Sequence, residues 1–254
     1  GKSGVVLVAV LAGWWCAGSL CEGCGGRTDD VPCLEIPACR AGAAAFGPFY
    51  VSNADGLVDP DQQTSGEICW DTAGFHVREV AQEKFIFSPY TQCNDPVFVN
   101  SDVLEVFLAP VRRTTDNPEW YFEMDASPSG VLWGGLSDNS KGNASYCVSA
   151  DGCPSGGAML NCSGLADFPH GLTVTVANTT KAYTSELFIP WALFAPEFQP
   201  AGTLSPWPFW RINFYRYDYP DGPDGDYELS AWSPTHDPSF HVPERFGVAT
   251  LVYK

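Results

Sequence analysis

The chain has 254 residues, with 13 Lys and Arg against 30 Asp and Glu, and a formal net charge of −17. Such a chain repels phosphate, and its largest basic cluster is the pair Arg112-Arg113, so nucleic acid and anionic membrane surfaces are poor partners. A hydrophobic fraction of 45% supports a packed core, and 16 Phe, 10 Tyr and 9 Trp on an acidic background leave neutral ligands and cations as the open classes.

Lys2, the apolar run Val5 to Ala12 and the small residues from Ala17 to Ser19 predict a secretory signal peptide over 1–21. The run is short for a membrane span, Glu22 follows it, and no later segment is longer, so the mature chain is expected to be extracellular without a span. Residues 22–48, rich in Gly, Ala and Cys, read as a disulfide-tied N-terminal extension. Cleavage after Cys21 leaves Cys24, Cys33, Cys39, Cys69, Cys93, Cys147, Cys153 and Cys162, an even number that implies disulfides with the pairing open. Sequons at Asn143, Asn161 and Asn178 fit the same compartment.

From Gly66 onward, short apolar segments recur between clusters of Pro, Gly, Asn and Asp. This predicts an all-β chain over 49–254: a two-sheet antiparallel β-sandwich of immunoglobulin-like or jelly-roll type. Expected strands are 74–78, 84–88, 102–109, 118–126, 171–177, 182–189, 208–216, 228–232 and 246–253. The Ser-, Gly- and Cys-rich stretch 136–169 lacks alternation and is expected to be a long surface insertion.

The period of two assigns faces. Leu104, Val106 and Leu108, Trp120, Phe122 and Met124, and Trp210, Ile212 and Phe214 form apolar rows suited to a shared core. The opposite rows carry Glu105 and Phe107, Tyr121, Glu123 and Asp125, and Arg211, Asn213 and Tyr215. A face both aromatic and polar suits a sugar, which offers C–H faces to rings and hydroxyls to planar polar groups.

Glu105, between Val103 and Phe107, is a candidate hydrogen-bond acceptor, and Trp232, at the end of a predicted strand, is a candidate stacking ring. The acidic loop carrying Asp221, Asp224 and Asp226 offers hard oxygens to Ca²⁺, although its spacing is not that of an EF-hand. Neither a Gly-x-Ser-x-Gly elbow nor a His-Glu-x-x-His motif is present, and His76, His170, His236 and His241 are scattered, so a catalytic role is not expected.

Several runs taken together resemble a family. They are Cys69-Trp70-Asp71 with Phe75-His76-Val77, Ser101 to Leu108, Trp120-Tyr121-Phe122-Glu123, Glu186 to Trp191, Trp210-Arg211-Ile212-Asn213 with Arg216, and Trp232 with His241 to Gly247. Their order over roughly 66–253 resembles the family 9 carbohydrate-binding modules of the wider DOMON-like group. That resemblance implies a non-catalytic β-sandwich that binds poly- or oligosaccharide between two rings, with structural calcium and no other required cofactor. It could accompany carbohydrate catabolism without catalysing it. On these matches Glu105 and Trp232 carry binding, and Phe98, Tyr121, Asn213 and Arg216 complete the candidate set. Phe98 or Val99 stands where the family has its first Trp, and Leu229 stands where an Asn precedes the second. Arg216 phases with the core row, which also fits a buried structural arginine. Two other readings follow. One is a DOMON-like domain holding haem b through Met124 or Met159 and a histidine. The other is an extracellular scaffold or adhesion domain without sugar binding.

Overall fold

In β-strands successive side chains point to opposite faces, and strand Gly74–Gln82 shows what this does here: Phe75, Val77 and Ala81 are buried on one face while His76 and Arg78 are exposed on the other. The structure, a computed structural model, describes residues 31–54, 56–140, 145–146, 172–194 and 207–253. Its strands are β1 (Cys33–Pro37), β2 (Ala44–Phe46), β3 (Tyr50–Val51), β4 (Thr64–Trp70), β5 (Gly74–Gln82), β6 (Val103–Val111), β7 (Trp120–Ala126), β8 (Leu132–Asp138), β9 (Ser145–Tyr146), β10 (Thr173–Asn178), β11 (Ala182–Pro190), β12 (Phe209–Asp218), β13 (Glu228–Ala231) and β14 (Gly247–Val252).

These strands make two sheets. The larger runs β1-β14-β12-β6-β7-β8-β9, with β13 pairing β12 and β3, and the smaller runs β10-β11-β5-β4-β2. All pairings are antiparallel except β1 with β14, which is parallel. The apolar rows face inward as phased. Val106, Leu108, Phe122, Met124, Ile212 and Phe214 from the larger sheet share one core with Ile68, Phe75, Val77, Leu187 and Ile189 from the smaller. This is the expected sandwich.

The hairpin between β4 and β5 is closed by Asp71, whose Oδ1 accepts from the amides of Ala73 at 2.7 Å and Gly74 at 3.1 Å. Gly74 is required there because a Cβ would lie 2.2 Å from the carbonyl oxygen of Ile189.

The N-terminal extension is built into the sandwich from Cys33 onward. β1 adds to the larger sheet, β2 to the smaller, and the ring of Phe46 in β2 stacks on Phe214 at 3.6 Å with an interplanar angle of 2°. Cys39 bonds to Cys69 of β4, and Cys33 and Cys93 each also take part in a disulfide. Cys24, Cys147, Cys153, Cys162, Asn143, Asn161, His170, Met159, the signal segment and most of the expected insertion lie outside the described residues. Asn178 ends β10 with an exposed side chain whose amide donates to the Pro128 carbonyl.

Residues 84–88 are not a strand. The Glu83 carboxylate turns back to accept from the amides of Lys84 and Phe85, which ends pairing after β5. Strands β1–β4, β8 and β9 were not expected. In β4, Gly66 takes a core position; in β8, Gly134-Gly135 interrupts the alternation that marks a strand.

Candidate functional site

The outer face of the larger sheet collects the polar and aromatic rows. Register sets their neighbours: Glu105 of β6 pairs with Asp125 of β7 and Tyr215 of β12, and Asp125 pairs with Trp133 of β8. Two ring clusters rise from this face. In one, Phe107, Tyr121 and Tyr215 pack with Phe240 and Phe246, with Tyr215 stacked on Phe240 at 4.2 Å. In the other, Val103, Trp133 and Val97 pack with Tyr90 and Phe98, and Phe98 meets Trp133 edge-on at 5.0 Å. Half-buried Tyr217 touches both clusters, and its ring lies 5.8 Å from exposed Tyr227.

Between the clusters lie three carboxylates: Glu105 at 1%, Glu123 at 3% and Asp125 at 0% exposure. One oxygen of Glu105 and both of Asp125 accept no hydrogen bond. Burial pushes Glu105 and Asp125 well above the usual carboxylate range, and each is pushed further by its acidic neighbours. The same burial, together with these carboxylates, raises the Tyr217 hydroxyl. His241 stands at the edge, its Nδ1 sharing a 2.7 Å hydrogen bond with Tyr121 and its Nε2 3.7 Å from Glu123. Burial lowers His241 to about 4, which leaves it uncharged at neutral pH.

The candidate residues divide between this face and the core. Glu105 and Tyr121 lie on the face, both buried, and Phe98 stands half-exposed at its edge. Trp232 lies in the sandwich core instead. Its ring meets Phe214 at 5.7 Å, and a Cβ at Gly247 would come within 2.3 Å of it. Its place there is fixed by Asn213, whose amide donates to Ser233 O while its Oδ1 accepts from the amides of Ser233 and Phe214. Asn213 therefore spends its polar atoms on the backbone and Trp232 its ring on packing. Both corrections have one cause: a strand-end Trp and a strand Asn look alike in sequence whether they serve a ligand or the chain.

Arg216 is also internal. Its guanidinium pairs with Glu83 and with Asp218 at 3.0 Å and donates to Gln62 O and Thr64 Oγ1. Gln62 in turn donates to Asp218 at 2.9 Å, and Asp102 beside them accepts from the Phe87 and Tyr219 amides. Burial, with Glu83 nearby, moves Asp102 up to about 8. The core phase of Arg216 thus prevails over its place in the binding set. Asp221, Asp224 and Asp226 are exposed, and their oxygens do not converge as a ligand set, unlike two groups elsewhere among the described residues.

Among the described residues, no Met and His are placed to hold a haem together. Met124 is locked in the core between the sheets, whereas His76 points to the far side of the smaller sheet, His236 is exposed and His241 lies on the opposite face of the larger one.

Sequence reasoning missed Trp133, Tyr217 and Tyr227. Trp133 was hidden by the two glycines that follow it, while Tyr217 shares the phase of Asn213 and Tyr215 and could have been read from that row.

The fold matches known structures. A protein of Bacteroides uniformis named a "putative carbohydrate-binding protein" superposes with a TM-score of 0.59 at 14% identity, covering 87% of this chain and 99% of its own. A family 9 carbohydrate-binding module of Caldicellulosiruptor kristjanssonii, solved with cellotriose, superposes at 0.47 with 8% identity over 87% of this chain and 94% of its own. An "Extracellular protein" of Arthroderma benhamiae is 29% identical over 223 residues, which is 85% of this chain and 88% of that protein. No family model matches the sequence. Among the described residues no helix is long and apolar enough to cross a membrane.

Proposed function

We propose that this chain is a secreted, non-catalytic carbohydrate-binding module whose outer face takes neutral sugars or glycan chain ends. The observation that carries the reading is the placement of Tyr217, half-buried against two ring clusters and close enough to the buried carboxyls of Glu105 and Asp125 to feel their charge. Rings offer stacking to sugar C–H faces, and the carboxyls offer acceptors or donors to hydroxyls. Two likenesses support it. The Bacteroides uniformis protein of similar fold is named for carbohydrate binding, and the Arthroderma benhamiae relative is named extracellular. The structural role of Trp232 shifts stacking to Tyr217, Tyr227 and Phe98.

A glycan array followed by calorimetry tests the proposal. Wild type should bind at least one neutral oligosaccharide, and Tyr217→Ala should weaken it by about tenfold, as loss of one ring contact of about 1–1.5 kcal/mol requires. The burial of Trp232 and of the carboxylates favours a second reading, an extracellular scaffold. An array on which wild type binds nothing would select that one.

A further inference from the structure

Asn178 sits where the chain can take a bulky addition. It is the last residue of β10, pairs with Tyr183 of β11 and starts the turn that joins the two strands. β10 ends the smaller sheet, so among the described residues no further strand lies beside it. Residues 177–181 are all exposed.

The turn divides its polar groups. The Thr179 hydroxyl is used by the backbone: it donates to Ala182 O at 3.0 Å and accepts from the amides of Lys181 at 3.2 Å and Ala182 at 3.0 Å. Thr180 stands outside that lock, exposed at the tip. Asn178-Thr179-Thr180 has the Asn-x-Thr spacing of a glycosylation sequon, in which Thr180 supplies the required hydroxyl. The middle residue thus closes the turn, and the two residues that the sequon needs both lie on the surface. The Asn178 amide gives one N–H to Pro128 O at 2.9 Å, in the turn between β7 and β8. A side-chain amide has a second N–H, which is left for substitution.

We propose that Asn178 carries an N-linked oligosaccharide. Its Nδ2 attacks C1 of the first sugar of a lipid-linked oligosaccharyl diphosphate. The N–C1 bond forms, the bond from C1 to the diphosphate oxygen breaks, the diphosphate lipid leaves and Nδ2 gives up one proton. The nitrogen keeps its other hydrogen, so the contact between β10 and the β7–β8 turn is compatible with the added sugar. The Cys39–Cys69 disulfide fits an oxidising, secretory route, where such transfer takes place. The assignment rests on the extracellular part of the proposed function and not on sugar binding by the outer face: this sugar is a covalent group on an edge strand of the smaller sheet.

The test secretes the full chain from a eukaryotic host behind the host's own signal segment, and glycopeptide mass spectrometry reads residue 178. Wild type should carry an oligosaccharide there that an amidase releases, leaving Asp. Thr180→Ala keeps the Asn178 amide and its bond to Pro128, and should lose the oligosaccharide completely. Thr180→Ser restores the hydroxyl and should restore the modification. Because the host supplies the route, an empty Asn178 counts against the site alone, and the extracellular reading is tested separately by locating the protein in its native cells. An unmodified residue 178 in secreted wild type, or a glycan there that survives Thr180→Ala, would overturn the proposal.

Discussion

The molecule holds two buried acidic trios, and they are treated oppositely. Inside the sandwich, Glu83, Asp102 and Asp218 lie around Arg216, and the guanidinium, Gln62 and four backbone amides occupy most of their oxygens. On the outer face, Glu105 and Asp125 meet aromatic rings and each other, and three of their oxygens accept nothing. The first trio holds elements together, because Glu83 and Asp218 pair with Arg216 and Asp102 is bonded to backbone amides. In the second, the charged groups in contact are carboxyls, with the uncharged His241 at 3.7 Å from Glu123, so burial and mutual repulsion push Glu105 and Asp125 well above the usual carboxylate range.

The sharpest test of the difference removes the matched cation. Arg216→Leu strands Glu83 and Asp218 in the core and should cost about 3–5 kcal/mol, read as a lower urea midpoint. Asp125→Asn should fall within about 1 kcal/mol of wild type or above it, since it removes an acidic group disfavoured by burial and by its acidic neighbours. Equal destabilisation by the two would erase the contrast.

Core and face also separate by ring. Trp232→Ala should cost about 3–5 kcal/mol through the cavity left beside Phe214 and Gly247. Tyr217→Ala should change stability far less and act on sugar affinity. If Trp232→Ala instead stays fully stable and loses only binding, the core assignment fails.

A smaller effect concerns Glu79, which points from β5 into the core with both oxygens unpartnered. Burial raises it well above the usual range. A raised carboxyl contributes stability that is whole below its unfolded value of about 4.3 and is lost as pH rises toward the folded value. Wild type should therefore weaken from pH 5 to 8 in urea unfolding, and Glu79→Gln should weaken less. An unchanged slope would show that Glu79 is hydrated in the native state.

Much of the sandwich was legible in the sequence because period-two rows such as Trp210, Ile212 and Phe214 record which side is dry. The opposite row also told, correctly, that Glu105, Glu123 and Asp125 share a face with rings. What sequence could not record was depth. The rings around Glu105's face pack against Tyr90, Val97 and Phe98 and against Phe240 and Phe246, distant in the chain, so how deeply that face is covered is not written in its sequence neighbours. For the same reason Trp232 resembled a stacking residue: its partners Phe214 and Gly247 are set by tertiary structure. Strands β4 and β8 escaped because Gly66, Gly134 and Gly135 carry no side chain to mark a face.

The central claim is that a sugar lands on the outer face around Tyr217, and hydroxyl-radical footprinting of the protein with and without its best array ligand tests it most directly. Protection at Tyr217, Tyr227 and Phe98, with none at the exposed rings of Tyr50 and Tyr253, is the predicted result. Protection confined to Tyr50 or Tyr253, or unchanged labelling of Tyr217 at saturation, would contradict it.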